Sequence, residues 1–199
     1  MLTSSALRVG VKWTGRRWFS AASALHQDLP GHRVYFIERI PPTKESVSQR
    51  LAVSFLPQDA LAKVTAEKAQ KVIVGWVSKP SAVISPDDFL ENKPFVDFLH
   101  SVIEDRVGKL DDPALKAFAE WQGQGWMHIA DERNPAPWGR IPLPEDIFGS
   151  ILLKEGKIQD GTYQRNPTHR IVSQNGLFQL SEPLLNELVK ACQGIVDAS

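Results

Sequence analysis

The chain has 199 residues, 42% hydrophobic and 23% charged, with 23 basic against 23 acidic side chains. That length suits one ordinary domain, and no apolar run approaches the roughly 20 residues that span a bilayer, so no transmembrane segment is expected. The single cysteine, Cys192, excludes an internal disulfide framework and any zinc site of several thiolates. Both exclusions suit a reducing compartment.

The N-terminus differs from the rest. Up to Gln27 it carries Arg8, Lys12, Arg16 and Arg17 and no carboxylate, with Leu2, Leu7, Val9, Val11, Trp13, Trp18 and Phe19 interleaved among Ser, Ala and Thr. That is the composition of a mitochondrial transit peptide, a cationic amphipathic segment drawn to an anionic surface. Arg17-Trp18-Phe19-Ser20 matches the arginine-plus-aromatic pattern at which matrix peptidases cut. Residues 1–19 are therefore expected to be a presequence and residues 20–199 a single domain. Removing four basic residues leaves 19 against 23 acids, a net charge of −4. A net-acidic domain argues against nucleic acid as a partner.

Arg33 to Ile40 is aromatic and β-branched and predicts a strand near a sheet centre. Pro41-Pro42 stops it, and a short helical turn follows from Thr43, its cap, to Arg50. Leu51 to Leu56 reads as a second strand. Residues 57–71 predict one helix, with Asp59 at its start and Lys68 and Lys71 at its end. Val72 to Val77 is a further strand. Ser85-Pro86-Asp87-Asp88 has the form of a helix start, with an apolar face running from Phe89 to Ile103 and Pro94 kinking or splitting it. Asp112-Pro113 opens another helix that Gly123 closes.

Beyond Gly125 the pattern turns to strands. Trp126 to Ala130 alternates, Ile147 to Leu153 is apolar, and Lys154-Glu155-Gly156-Lys157 forms a hairpin turn. A second hairpin spans 169–180 and turns on Asn175-Gly176. Ser181 caps a C-terminal helix that carries Leu184, Leu185, Leu188, Val189 and Cys192 on one face and ends at Gly194. The order predicts an α+β fold: one domain, a mixed or antiparallel sheet with helices packed on one face, a helical middle segment and a C-terminal helix.

Between the strands lies Asn134-Pro135-Ala136-Pro137-Trp138-Gly139-Arg140-Ile141-Pro142-Leu143-Pro144. Four prolines fix φ and remove backbone donors, so neither a helix nor a central strand runs through it. Its Trp138 and Arg140 read as a rigid display for a protein partner, with Arg165 and Arg170 as further partner-binding candidates. Trp76 and Trp121 read as core packing.

The densest polar group is His128, Asp131, Glu132, Arg133, Arg140, Glu145 and Asp146. A metal site needs two or three of His128, Asp131, Glu145 and His169 to converge, yet no paired-ligand spacing occurs. Glu145-Asp146 reads as acids at a helix start rather than an acid/base pair. No nucleophile elbow, phosphate loop or dinucleotide fingerprint is present, and no cofactor is expected. The Arg165–Arg170 stretch beside Tyr163 is too small a basic patch for RNA on an acidic domain.

The sequence thus predicts a mitochondrial matrix protein acting as a non-catalytic accessory, assembly or interaction component of a larger complex, respiratory or ribosomal. The alternative is a small hydrolase or lyase using His128, Glu145 or His169. The oligomeric state is not written in the sequence.

Overall fold

The structure is a computed structural model that describes residues 25–29, 32–38, 50–62 and 64–198. The segment 1–19, expected to be a presequence, and the turn expected from Thr43 lie outside the described residues, apart from Arg50. Among the described residues no helix is long and apolar enough to cross a membrane.

The fold is α+β. Its first half is an antiparallel sheet in the order β1 (Leu25–Leu29), β2 (His32–Ile37), β3 (Leu51–Ser54), β4 (Ile73–Val77) and β5 (Leu90–Glu91). β2 is an interior strand, as its aromatic and β-branched composition predicts. The helix expected over 57–71 is two pieces, α1 (Gln58–Leu61) and α2 (Ala66–Val72). α2 runs straight into β4, and buried Ser54 ties that junction by donating to the Val72 carbonyl at 2.8 Å.

The helix expected from Ser85 begins later. Leu90 and Glu91 instead pair with Trp76 and Gly75 of β4. Asn92 is buried and donates from its amide nitrogen to the carbonyls of Gln70 and Ile73, which fixes where the chain can turn into α3 (Lys93–Arg106). Pro94 therefore sits in the first turn of α3, where its missing N–H costs nothing, and no kink arises.

α4 (Pro113–Gln122) starts and stops as predicted. Asp112 accepts from the amides of Ala114 and Leu115, and Gly123 ends the helix at φ +76°. The second sheet follows: β6 (Gly125–Ala130) pairs with β7 (Ile147–Lys154), which also pairs with β8 (Lys157–Ile158) and β9 (Gln164–Arg165). Between β6 and β7 runs the proline-rich segment, closed by a single 3-10 turn at Pro144–Asp146. The last hairpin joins β10 (Val172–Ser173) to β11 (Gly176–Leu177). Its turn is one residue earlier than expected: Gln174 and Asn175 form the loop, and Gly176 opens the returning strand at φ +92°. α5 (Glu182–Asp197) passes through Gly194 rather than ending there.

One continuous core joins both sheets. Phe178 is its hub, with ring centroids 5.9 Å from Phe55, 6.3 Å from Phe95 and 5.9 Å from Phe148. α2, α3 and α5 pack against one another beside it, and the buried face of α5 is Leu184, Leu185, Leu188 and Cys192. Burial pushes the Cys192 thiol up to about 12, which keeps it an inert apolar group.

Candidate functional site

Two polar constellations lie under the second sheet. The first is centred on Arg133, whose side chain is only 2% exposed. Its Nε lies 3.1 Å from Asp146 Oδ1 and 3.4 Å from Asp131 Oδ2. Its terminal nitrogens donate to the carbonyls of Glu145, Arg170, Ile171 and Gly176 at 2.7–3.3 Å. Asp131 also accepts from the amides of Arg133 and Gln179 and from His169 Nε2 at 3.0 Å. Asp146 accepts from the Asn134 amide nitrogen at 3.1 Å. Every arm of this network ties chain to chain, which is the work of a buried fork-shaped cation.

The second is a small aromatic stack. The Tyr163 hydroxyl donates to the Phe148 carbonyl at 3.1 Å, and His100 Nδ1 lies 2.8 Å from the same hydroxyl. The tyrosine has one proton to give, so His100 carries its own proton on Nδ1. Burial above all, then the Arg165 and His169 charges, lower the His100 pKa to about 3 and hold the ring neutral. The His169 ring lies 4.2 Å from the Phe148 ring, and its Nδ1 is buried without a hydrogen-bond partner.

The third constellation is open. A groove of about 450 Å³ is lined by α4, by β6 and by residues 135–142. Phe118, Trp121 and Trp138 form a triangle along it, with centroids 5.4–5.5 Å apart and planes tilted by 45–80°. Such tilted contacts are the favoured aromatic geometry. They dock the proline-rich segment on α4. Yet Trp121 is 57% exposed, Trp126 44%, Trp138 68% and Ile141 74%. Glu132 and Arg140 line the groove, and neither side chain makes a hydrogen bond or ion pair among the described residues. Partial loss of water, then the nearby Asp112 and Asp131 carboxylates, raise the Glu132 pKa.

The groups that a hydrolytic site would need stand apart. His128 lines the groove and bonds Ser150 Oγ through Nδ1 at 2.8 Å. Glu145 lines a separate shallow cleft with Thr168 and Arg170, its carboxylate 3.9 Å from the Arg170 guanidinium. His169 lines neither; its side chain is 1% exposed and committed to Asp131. Among the described residues no cluster of three or more His, Cys, Asp or Glu is arranged to hold a metal.

Of the partner-binding candidates, Trp138 and Arg140 share the groove. Arg165 instead pairs with Asp97 at 2.7 Å on the surface, and Arg170 faces Glu145. Trp76 is buried as expected, but Trp121 is not a core residue. Only Ala119 of α4 is buried, so the rest of the helix stays near the surface. Phe118, Trp121 and Trp126 are groove residues that sequence reasoning missed, and Glu132, singled out there only as a member of the polar group, lines the groove with them. The signal was available in part: Leu115, Phe118 and Trp121 make an apolar stripe at helical spacing, but a stripe does not say whether its partner is the core or a visitor.

No protein-family model matches the chain, nor does any curated protein or solved structure. Fold carries no chemistry by itself, so the site stands on its own geometry.

Proposed function

We propose that this chain is a non-catalytic accessory or assembly component of a larger mitochondrial complex, and that it docks on its partner through the groove bordered by Trp121, Trp126 and Trp138. The observation that carries this reading is the exposure of three tryptophans and Ile141 around one groove. Large apolar surface gathered in one place marks interaction sites on folded domains, and tryptophan and arginine dominate the energetics of such contacts. The separation of His128, Glu145 and His169 supports the same reading, because general acid/base chemistry needs those groups within hydrogen-bond reach of one substrate. The mitochondrial element rests on the Arg-rich, acid-free composition of residues 1–19.

Affinity purification of the tagged protein from mitochondria tests it. A reproducible co-purifying complex is expected with the natural chain, and its loss with Trp138→Ala. A monomeric profile for the natural chain would overturn the reading.

A further inference from the structure

β6 is the end strand of its sheet: among the described residues it pairs with β7 alone. The direction of its main chain follows from its neighbour. Leu152 faces Trp126 in the register, but the Leu152 amide donates to Thr162 Oγ1 at 3.0 Å and its carbonyl accepts from Gln159 at 2.9 Å, both away from β6. Trp126 and Leu152 are therefore a pair without mutual hydrogen bonds, and the N–H and C=O of Trp126 point outward. His128, opposite Ser150, has the same parity. The Trp126 carbonyl is taken by the Gln122 side chain at 3.0 Å. The Trp126 N–H and both main-chain groups of His128 bond nothing among the described residues.

These three groups open beside the aromatic groove, which Trp126, His128, Ile129 and Ala130 themselves line. Unpaired donors and acceptors on a strand edge are satisfied by another extended chain. The side chains there add two preferences. Trp121 and Trp138 offer apolar faces whose quadrupole also favours cations. Glu132 is an unpaired carboxylate close to Asp112 and Asp131, so the local charge is negative. Arg140 remains free to meet a carbonyl or acid elsewhere on the visitor.

We propose that the outer edge of β6 and the groove beside it take an extended peptide segment of a partner protein, about five residues long. The segment places an apolar side chain against Trp138 and a lysine or arginine toward Glu132. This rests on the docking function proposed above and supplies its recognition mode: main-chain pairing gives affinity, and the aromatic wall and the carboxylate give specificity.

Panning the full chain against a displayed library of random eight-residue peptides tests the proposal. Enriched sequences are expected to carry one basic residue among alternating apolar ones. A synthetic peptide of the enriched sequence should slow hydrogen exchange at the Trp126 and His128 amides. Its affinity should fall about 5-fold with Glu132→Gln and about 30-fold with Trp138→Ala, and N-methylation of the amides that face β6 should abolish binding. Glu132→Gln removes only an exposed charge, so it reports on recognition even where the tryptophan variant folds poorly. Absence of enrichment, or proline-rich sequences that leave the two amides exchanging as before, would overturn the proposal. So would a stable dimer of the free protein in which those amides are already protected, because the edge would then belong to a second copy. The two readings fail separately. A Trp138-dependent complex without edge protection leaves the docking function and removes strand pairing; no complex at all removes the docking function.

Discussion

Arg133 Nε and Asp146 Oδ1 lie 3.1 Å apart with both side chains withdrawn from water, and the same guanidinium serves four main-chain carbonyls. Replacing it by methionine removes the cation beside two buried carboxylates and takes one donor from each of four carbonyls at once. Arg133→Met is expected to destabilise the fold by about 3–5 kcal/mol, read from urea unfolding curves. Arg133→Lys should recover only part of that loss, because a point charge cannot span acceptors on several sides.

His100 sets a pH response. Burial lowers its pKa from the usual 6.5 of a histidine to about 3, so the native state stays unprotonated where the unfolded chain takes a proton. Stability contributed by the neutral ring is complete above pH 6.5 and declines as pH falls toward 3. The slope approaches about 1.4 kcal/mol per pH unit. Unfolding free energies at pH 7 and pH 5 should differ more for the natural chain than for His100→Gln. Equal differences would show that the histidine is not the source.

Gly149 is held against its neighbours. A Cβ there would lie 2.5 Å from the Gln164 carbonyl oxygen and 2.6 Å from the Tyr163 ring. Gly149→Ala is expected to cost about 1–3 kcal/mol by pushing β9 and Tyr163 off β7. The loss should appear as a lower thermal midpoint.

Trp138→Ala gives up ring contacts with Phe118 and Trp121 but little burial. Its effect on stability should stay near about 1 kcal/mol, so any lost partner in the purification experiment reports recognition rather than unfolding. A collapse in stability would mean that the loop is part of the core.

Localisation has its own measurement. Deleting residues 1–19 removes the cationic segment and should leave the protein in the cytosol, followed by fractionation or a fluorescent fusion. Continued import would refute the proposed presequence.

The sequence made legible what short-range chemistry decides. α4 was readable at both ends because an Asp-Pro start and a glycine stop act within one turn. The buried face of α5 was readable from its helical spacing, although Gly194 lies inside the helix, where tertiary packing of that face outweighs one glycine. The place of Pro94 in the first turn of α3 is not legible locally, because it depends on bonds from Asn92 to residues 70 and 73. The Arg133 network was unreadable for the same reason: its members are spread from Asp131 to Gln179 and meet only when both sheets are assembled. In the groove, Trp138 stood out among prolines, while Trp121 looked like any core residue on a helix stripe. Exposure depends on where α4 docks, and spacing carries no record of that.

The proline-rich segment leaves and re-enters the fold at one point. The Asp131 amide donates to the Asp146 carbonyl at 2.8 Å, and the Asn134 amide nitrogen donates to the Asp146 carboxylate at 3.1 Å. Its two feet are thus bolted together before the loop itself contributes anything. Lengthening a loop whose ends are already joined costs little, since closure entropy grows only with the logarithm of length. The stretch from 135 to 142 therefore behaves as an exchangeable cassette: it can be nicked, extended or rewritten with new side chains while the sheets beneath keep their register.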